Sequence, residues 1–203
     1  MKNIIYQIGD SSQNVPEGDD NWISGLLQTR TMCICKNLLI RKPIDIYLNE
    51  KIKKSFAPIT YARGTSILMM RKDVVDIIGS NFIIDTFYIG KVYDKDQKLS
   101  EEYISLVSQK EEAYIRGEHE STCRICSECG SLLYFPLPLN SWYLLKKDVQ
   151  NNNVFSSKLY SIIVSETIYK KISESKIKKI GVDKIPIIER ALDGYDDLFN
   201  LLN

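Results

Sequence analysis

The stretch Leu159-Tyr160-Ser161-Ile162-Ile163-Val164-Ser165-Glu166 passes from a β-like apolar run straight into a helix start. Branched apolar residues suit a pleated strand, and a serine oxygen is suited to cap the free N–H groups of a first helical turn. Ile168, Tyr169 and Ile172 then recur at helical spacing, and Gly181 precedes a second extended run through Ile185, Ile187 and Ile188. The reading is strand, helix, strand. An earlier segment has the same order: Ser66 to Met70 is β-like, Asp73 to Ile78 has helical spacing, Gly79 can stop that helix, and Phe82 to Ile89 returns as a strand. Two related units, about 60-93 and 155-190, therefore predict an α+β fold on a mixed sheet. Their match is one of pattern, which a common packing unit explains as well as an internal repeat does.

Outward from these units the signals are shorter. Ile4 to Ile8 reads as a first strand and Asp10 to Asn21 as a loop, after which Trp22 and Leu26-Leu27 lead to a first cysteine pair. Leu38 to Ile40 and the alternation Ile44-Asp45-Ile46-Tyr47-Leu48 look extended. Asp94 to Gly117 is polar, with Tyr103, Leu106 and Val107 as anchors for either a helix or a long strand. Ala191 to Leu202 carries Leu192, Tyr195, Leu198, Phe199 and Leu202 at helical spacing, the pattern of a helix docked by one stripe.

The 203 residues suit one domain spanning 1-203, and 44% hydrophobic with 26% charged residues is the balance of a globular chain. Lys and Arg number 27 against 26 Asp and Glu, so the net charge of +1 gives no reason to expect a nucleic-acid partner. The N-terminal apolar stretch is too short for a signal peptide, and no uninterrupted apolar run is long enough to span a bilayer. The expectation is a cytoplasmic protein with no membrane partner.

The five cysteines cluster as Cys33 and Cys35, then Cys123, Cys126 and Cys129. In a reducing compartment such clusters favour thiolate ligands over disulfides. Cys126-Ser127-Glu128-Cys129-Gly130 suits zinc, because two thiolates reach one tetrahedral ion from a tight turn that glycine can close. The strand-like Ser131 to Phe135 that follows argues against a thioredoxin-type redox pair, which usually opens a helix. A structural zinc needs four ligands, and Cys33 with Cys35 is the natural source of the other two, since i and i+2 of an extended segment share a face. The expected metal set is Cys33, Cys35, Cys126 and Cys129, in a zinc-ribbon-like site. Two alternatives stay open: a local set of His119, Cys123, Cys126 and Cys129, or buried thiols that bind no metal.

The order of these motifs resembles that of the double-CXXCG-motif proteins known from myxobacteria. The resemblance covers most of the chain. It is carried by Trp22-Ile23-Ser24-Gly25, Pro43-Ile44-Asp45-Ile46, Cys126-Ser127-Glu128-Cys129-Gly130, the tail Ser161-Ile162-Ile163-Val164-Ser165-Glu166 and Ile180-Gly181-Val182-Asp183. The chain departs from the family at the first motif, where Cys33-Ile34-Cys35-Lys36-Asn37 stands in place of Cys-x-x-Cys-Gly. The resemblance implies a cytoplasmic immunity protein that binds and neutralises a cognate toxin domain, with zinc joining distant parts of the fold.

Four thiolates leave a zinc ion no open position for water, so such a site stabilises and does not activate a nucleophile. Elsewhere there is a single histidine, His119, between Glu118 and Glu120, with no Gly-x-Ser-x-Gly elbow and no phosphate-binding glycine loop. The chain is thus not expected to be an enzyme. The competing function is a zinc-ribbon protein associated with nucleic acid, or a regulatory binding protein, for which Lys51, Lys53 and Lys54, then Lys176, Lys178 and Lys179, are the best basic clusters.

Overall fold

A computed structural model describes residues 4–10, 14–110, 126–129, 143–149, 153–157 and 161–189. His119, Cys123, the strand expected after Gly130 and the C-terminal helix lie outside the described residues.

The first strand, β1 (Ile4–Asp10), leads to helix α1 (Asp20–Gln28). Asp19 caps α1 by accepting the Trp22 N–H at 2.9 Å. Then come β2 (Ile46–Tyr47), β3 (Ile59–Tyr61) and β4 (Leu68–Arg71). Helices α2 (Lys72–Ile78) and α3 (Ser80–Thr86) follow, joined at Gly79, whose φ of 107° is open to glycine and strained for other residues. Strands β5 (Phe87–Tyr93) and β6 (Leu99–Ser108) end the first half. The second half holds β7 (Leu144–Leu145), β8 (Val154–Ser157), β9 (Ser161–Val164), α4 (Glu166–Glu174) and β10 (Ile180–Ile188).

This is an α+β arrangement, but with two mixed sheets where one was expected, in the orders β7-β10-β1-β9-β8 and β2-β5-β6-β4-β3. The pairings show why. β10 and β9 both run antiparallel to β1, so they are parallel to each other with β1 between them. β5 and β4 flank β6 in the same way. Each strand-helix-strand unit thus splits to admit a central antiparallel strand and completes a sheet of its own. The edges correspond too. β7 is parallel to β10 as β2 is to β5, and β8 is antiparallel to β9 as β3 is to β4. The two sheets share one plan, except that the central strand follows the unit in one and comes from the start of the chain in the other.

Alternation along the strands distributes the core. Ile8, Ile162 and Val164 of one sheet meet Leu68, Met70 and Leu106 of the other in one buried cluster that also takes Val74, Ile83, Ile168 and Ile172 from the helices. The opposite faces carry separate clusters, Ile5 with Ile163 and Ile185 on one sheet, Met69 with Tyr103 and Val107 on the other. At roughly 2 kcal/mol for each fully buried branched side chain, the shared cluster is the main bond between the halves.

Phe82 to Ile89 is corrected by the structure. Helix α3 takes Ser80–Thr86 and the strand begins only at Phe87. Ile83 points into the core while Phe82 and Ile84 face solvent, a one-sided burial that a short apolar run does not reveal in advance. Tyr103, Leu106 and Val107 are buried in β6, which resolves that segment as a strand. Ser165 stands at the N-cap of α4, yet its side chain makes no capping bond.

Candidate metal centre

Where α1 ends, the Leu26 carbonyl accepts the N–H groups of both Thr31 and Met32, turning the chain back sharply. Met32 then bridges antiparallel to Leu38. Inside that bridge the Cys33 N–H donates to the Asn37 carbonyl and the Lys36 N–H to the Cys33 carbonyl, each at 2.8 Å. Cys33 to Asn37 is therefore a tight turn and not the extended segment expected. The two sulfurs converge because the turn curls around them, while Ile34 at its tip is 76% exposed.

Lys36 has a φ of 71°. It adopts the left-handed conformation that glycine enters freely, so the turn holds a strained lysine where a glycine would be at ease. A left-handed non-glycine residue costs about 1–2 kcal/mol, against about 0.5–1 kcal/mol of extra chain entropy for glycine. Lys36→Gly is accordingly expected to raise the melting temperature by about 1–4 °C. A fall in a thermal melt would show that the lysine side chain does something for the turn that this balance omits.

The turn at Cys126–Cys129, in the connection from β6 to β7, faces this loop. Cys33 Sγ lies 3.6 Å from Cys126 Sγ and Cys35 Sγ lies 3.3 Å from Cys129 Sγ. All four sulfurs are within 4.8 Å of one another. A tetrahedral ion with bonds of about 2.3 Å sets its thiolates about 3.8 Å apart, so the sulfurs lie close enough to hold a metal ion. They are free thiols, farther apart than the roughly 2.05 Å of a disulfide. Cys33 and Cys126 are buried, and Cys35 and Cys129 are partly exposed. The structure thus brings together the four cysteines of the long-range set.

Two residues that the sequence did not mark complete the surroundings. Glu128 receives the Cys33 thiol at 3.0 Å and a backbone N–H from Ile34, and lies 3.8 Å from the Arg30 guanidinium. The bond from Cys33 holds the Glu128 carboxyl below the usual carboxylate range, and Glu128 in turn pushes the Cys33 thiol well above the ordinary thiol range. Burial raises Cys35, opposed by Asn37, whose Nδ2 donates to Cys35 Sγ at 3.3 Å. Glu128 fills a variable place in the motif and acts on a loop far away in sequence, so no local signal identifies it. Asn37 has no local signal either, because the left-handed position before it is held by a lysine.

Chemically, four thiols in this array can take a metal as a closed tetrahedral set, deprotonating as they bind. A scan against models of known protein families and a comparison with curated proteins both find no match to the chain.

Proposed function

We propose that this chain is an immunity protein that binds and neutralises a cognate bacterial toxin domain in the cytoplasm, and that Cys33, Cys35, Cys126 and Cys129 hold a structural zinc ion in it. The observation that carries the metal half is the convergence of four sulfurs, within 4.8 Å of one another, from two segments far apart in the chain. With all four as ligands the ion has no open position, and what it supplies is a clamp between the loop before β2 and the connection between the sheets. The pairing of separate thiolate pairs is zinc-ribbon-like. The immunity half rests on the resemblance of the motif order to the double-CXXCG-motif proteins, and on a site that fastens the fold without leaving a metal position for substrate.

The nucleic-acid reading has less behind it. Single strands are held by stacking bases on exposed aromatic rings beside a cationic groove. Phe56 and Tyr103, the aromatics that line clefts with Lys54, are buried.

Co-expression with the product of the adjacent gene tests the immunity half: growth arrest by that product alone is expected to be relieved by this chain. A harmless neighbour, or undiminished toxicity, would refute it. For the metal half, freshly reduced protein is expected to carry stoichiometric zinc that Cys129→Ser loses, and less than about half an equivalent would count against the site.

A further inference from the structure

The two lysine clusters, distant in sequence, meet in space. An open cleft of about 570 Å³ lies between α2, the loop Ser175 to Lys179 that leaves α4, and the loop Lys54 to Pro58 that enters β3. Lys179 closes the junction, its Nζ donating to the Ser55 carbonyl at 2.9 Å. Lys54, Arg71, Lys176, Lys178 and Lys179 line the cleft against two carboxylates, Asp73 and Asp76. Arg71 is already spent on Asp73, which it holds through two hydrogen bonds of 2.6 and 2.7 Å. Lys54, Lys176 and Lys178 have no ion-pair partner among the described residues. In a chain of net charge +1, this gathers at one concave place positive charge that no acid among the described residues pairs with.

The rest of the lining is apolar: Ile77 and Ile177, partly buried, and Phe56 and Pro58, which are buried. Apolar side chains set among charged ones are the anatomy of a protein-binding surface, where an anchor side chain is desolvated and the surrounding charges select and steer the partner. A continuous phosphate track fits less well. Asp73 and Asp76 interrupt the cations, and Phe56, 1% exposed, offers no stacking face.

We propose that this cleft is the docking surface for a carboxylate-rich segment of the partner protein, with an apolar side chain of that segment seated over Ile77 and Ile177 and its acids on Lys54, Lys176 and Lys178. The identity of the partner as a toxin rests on the immunity reading. The charge and shape of the site do not.

Titrating the full-length protein with three probes, followed by amide NMR shifts, tests this. The probes are a peptide alternating glutamate and leucine, inorganic pyrophosphate, and a mixed-sequence single-stranded oligonucleotide. The peptide is expected to shift residues at 54–58 and 175–179 and to bind at least about tenfold more weakly to the Lys54→Glu/Lys178→Glu protein, a loss corresponding to about 1.4 kcal/mol. Lys91→Glu, on β5 and outside the cleft lining, should leave binding unchanged. Absence of shifts in the cleft, equal binding by the double variant, or tighter binding there of pyrophosphate or the oligonucleotide would each overturn the proposal. The folded state of the double variant is read from the same spectra, and Lys54→Gln/Lys178→Gln, which removes charge without reversing it, should give a smaller loss of the same sign. With the adjacent gene product as a further arm, the charge-reversed protein should lose protection that Lys91→Glu keeps. If the unaltered protein gives no protection, the immunity reading fails while the peptide titration still judges the cleft.

Discussion

Stripping the proposed zinc ion from the purified protein with a tight chelator is expected to lower its melting temperature by about 8–16 °C. The magnitude follows from linkage: an ion that binds the folded chain and is present at a thousandfold excess over its Kd adds about 4 kcal/mol, and for a chain of this size each kcal/mol moves the midpoint by about 2–4 °C. The reason to expect the full effect lies in what the sulfurs join. Cys126 and Cys129 sit in the long passage from β6 to β7, and their sulfurs meet Cys33 and Cys35 in the loop between α1 and β2. Without an ion, the thiol contacts and the bond from Cys33 to Glu128 remain, and these are weak beside four metal–sulfur bonds. Differential scanning calorimetry with metal analysis on the same samples decides the matter. Complete loss of zinc with an unmoved midpoint would mean that the ion, if carried, does not fasten the fold.

Ile8→Ala should destabilise the protein by about 3–5 kcal/mol, through lost transfer energy and the cavity left behind. Ile8 is fully buried in the central strand β1, opposite Ile162 on one side and Val182 on the other, and belongs to the cluster shared by both sheets. Its loss therefore weakens three things together: one sheet, the helix layer, and the joint between halves. Val182→Ala on the neighbouring strand, at a position 39% exposed, is expected to change stability by no more than about 0.5 kcal/mol. Urea denaturation of both variants compares them. A cost for Ile8→Ala below about 1 kcal/mol, or equal to that of Val182→Ala, would show that the joint relaxes around the missing atoms.

How much of this was legible beforehand differs by element. β1, β4, α2, β9, α4 and β10 follow from local periodicity and from Gly79, and each lies within a few residues of its expected place. Helix α1 is poorly marked in the sequence because Trp22, Ile23, Leu26 and Leu27 follow a polar loop, although Asp19 three residues before Trp22 is a usable cap signal. In α3 the run Phe82-Ile83-Ile84 fits either period, and packing chose the helix. The division into two sheets has no local signature at all, because the place of β1 is set by partners near the other end of the chain. At the candidate metal centre the four converging cysteines are readable from type and clustering. Their geometry is not: a turn with a strained Lys36, and not an extended strand, points Cys33 and Cys35 at one spot.

The position of β1 between β9 and β10 also sets a timetable for synthesis. Strands β2 to β6 lie together in sequence and can form their sheet while the rest of the chain is still being made. β1 leaves the ribosome before any of them, yet Tyr6 pairs with Val164 and Lys184. Until β9 and β10 have been synthesised, an apolar strand with two unsatisfied edges must therefore wait for its partners. Such a strand is the natural hold for a chaperone on the nascent chain, and the place where refolding at high concentration will first go wrong by pairing between molecules.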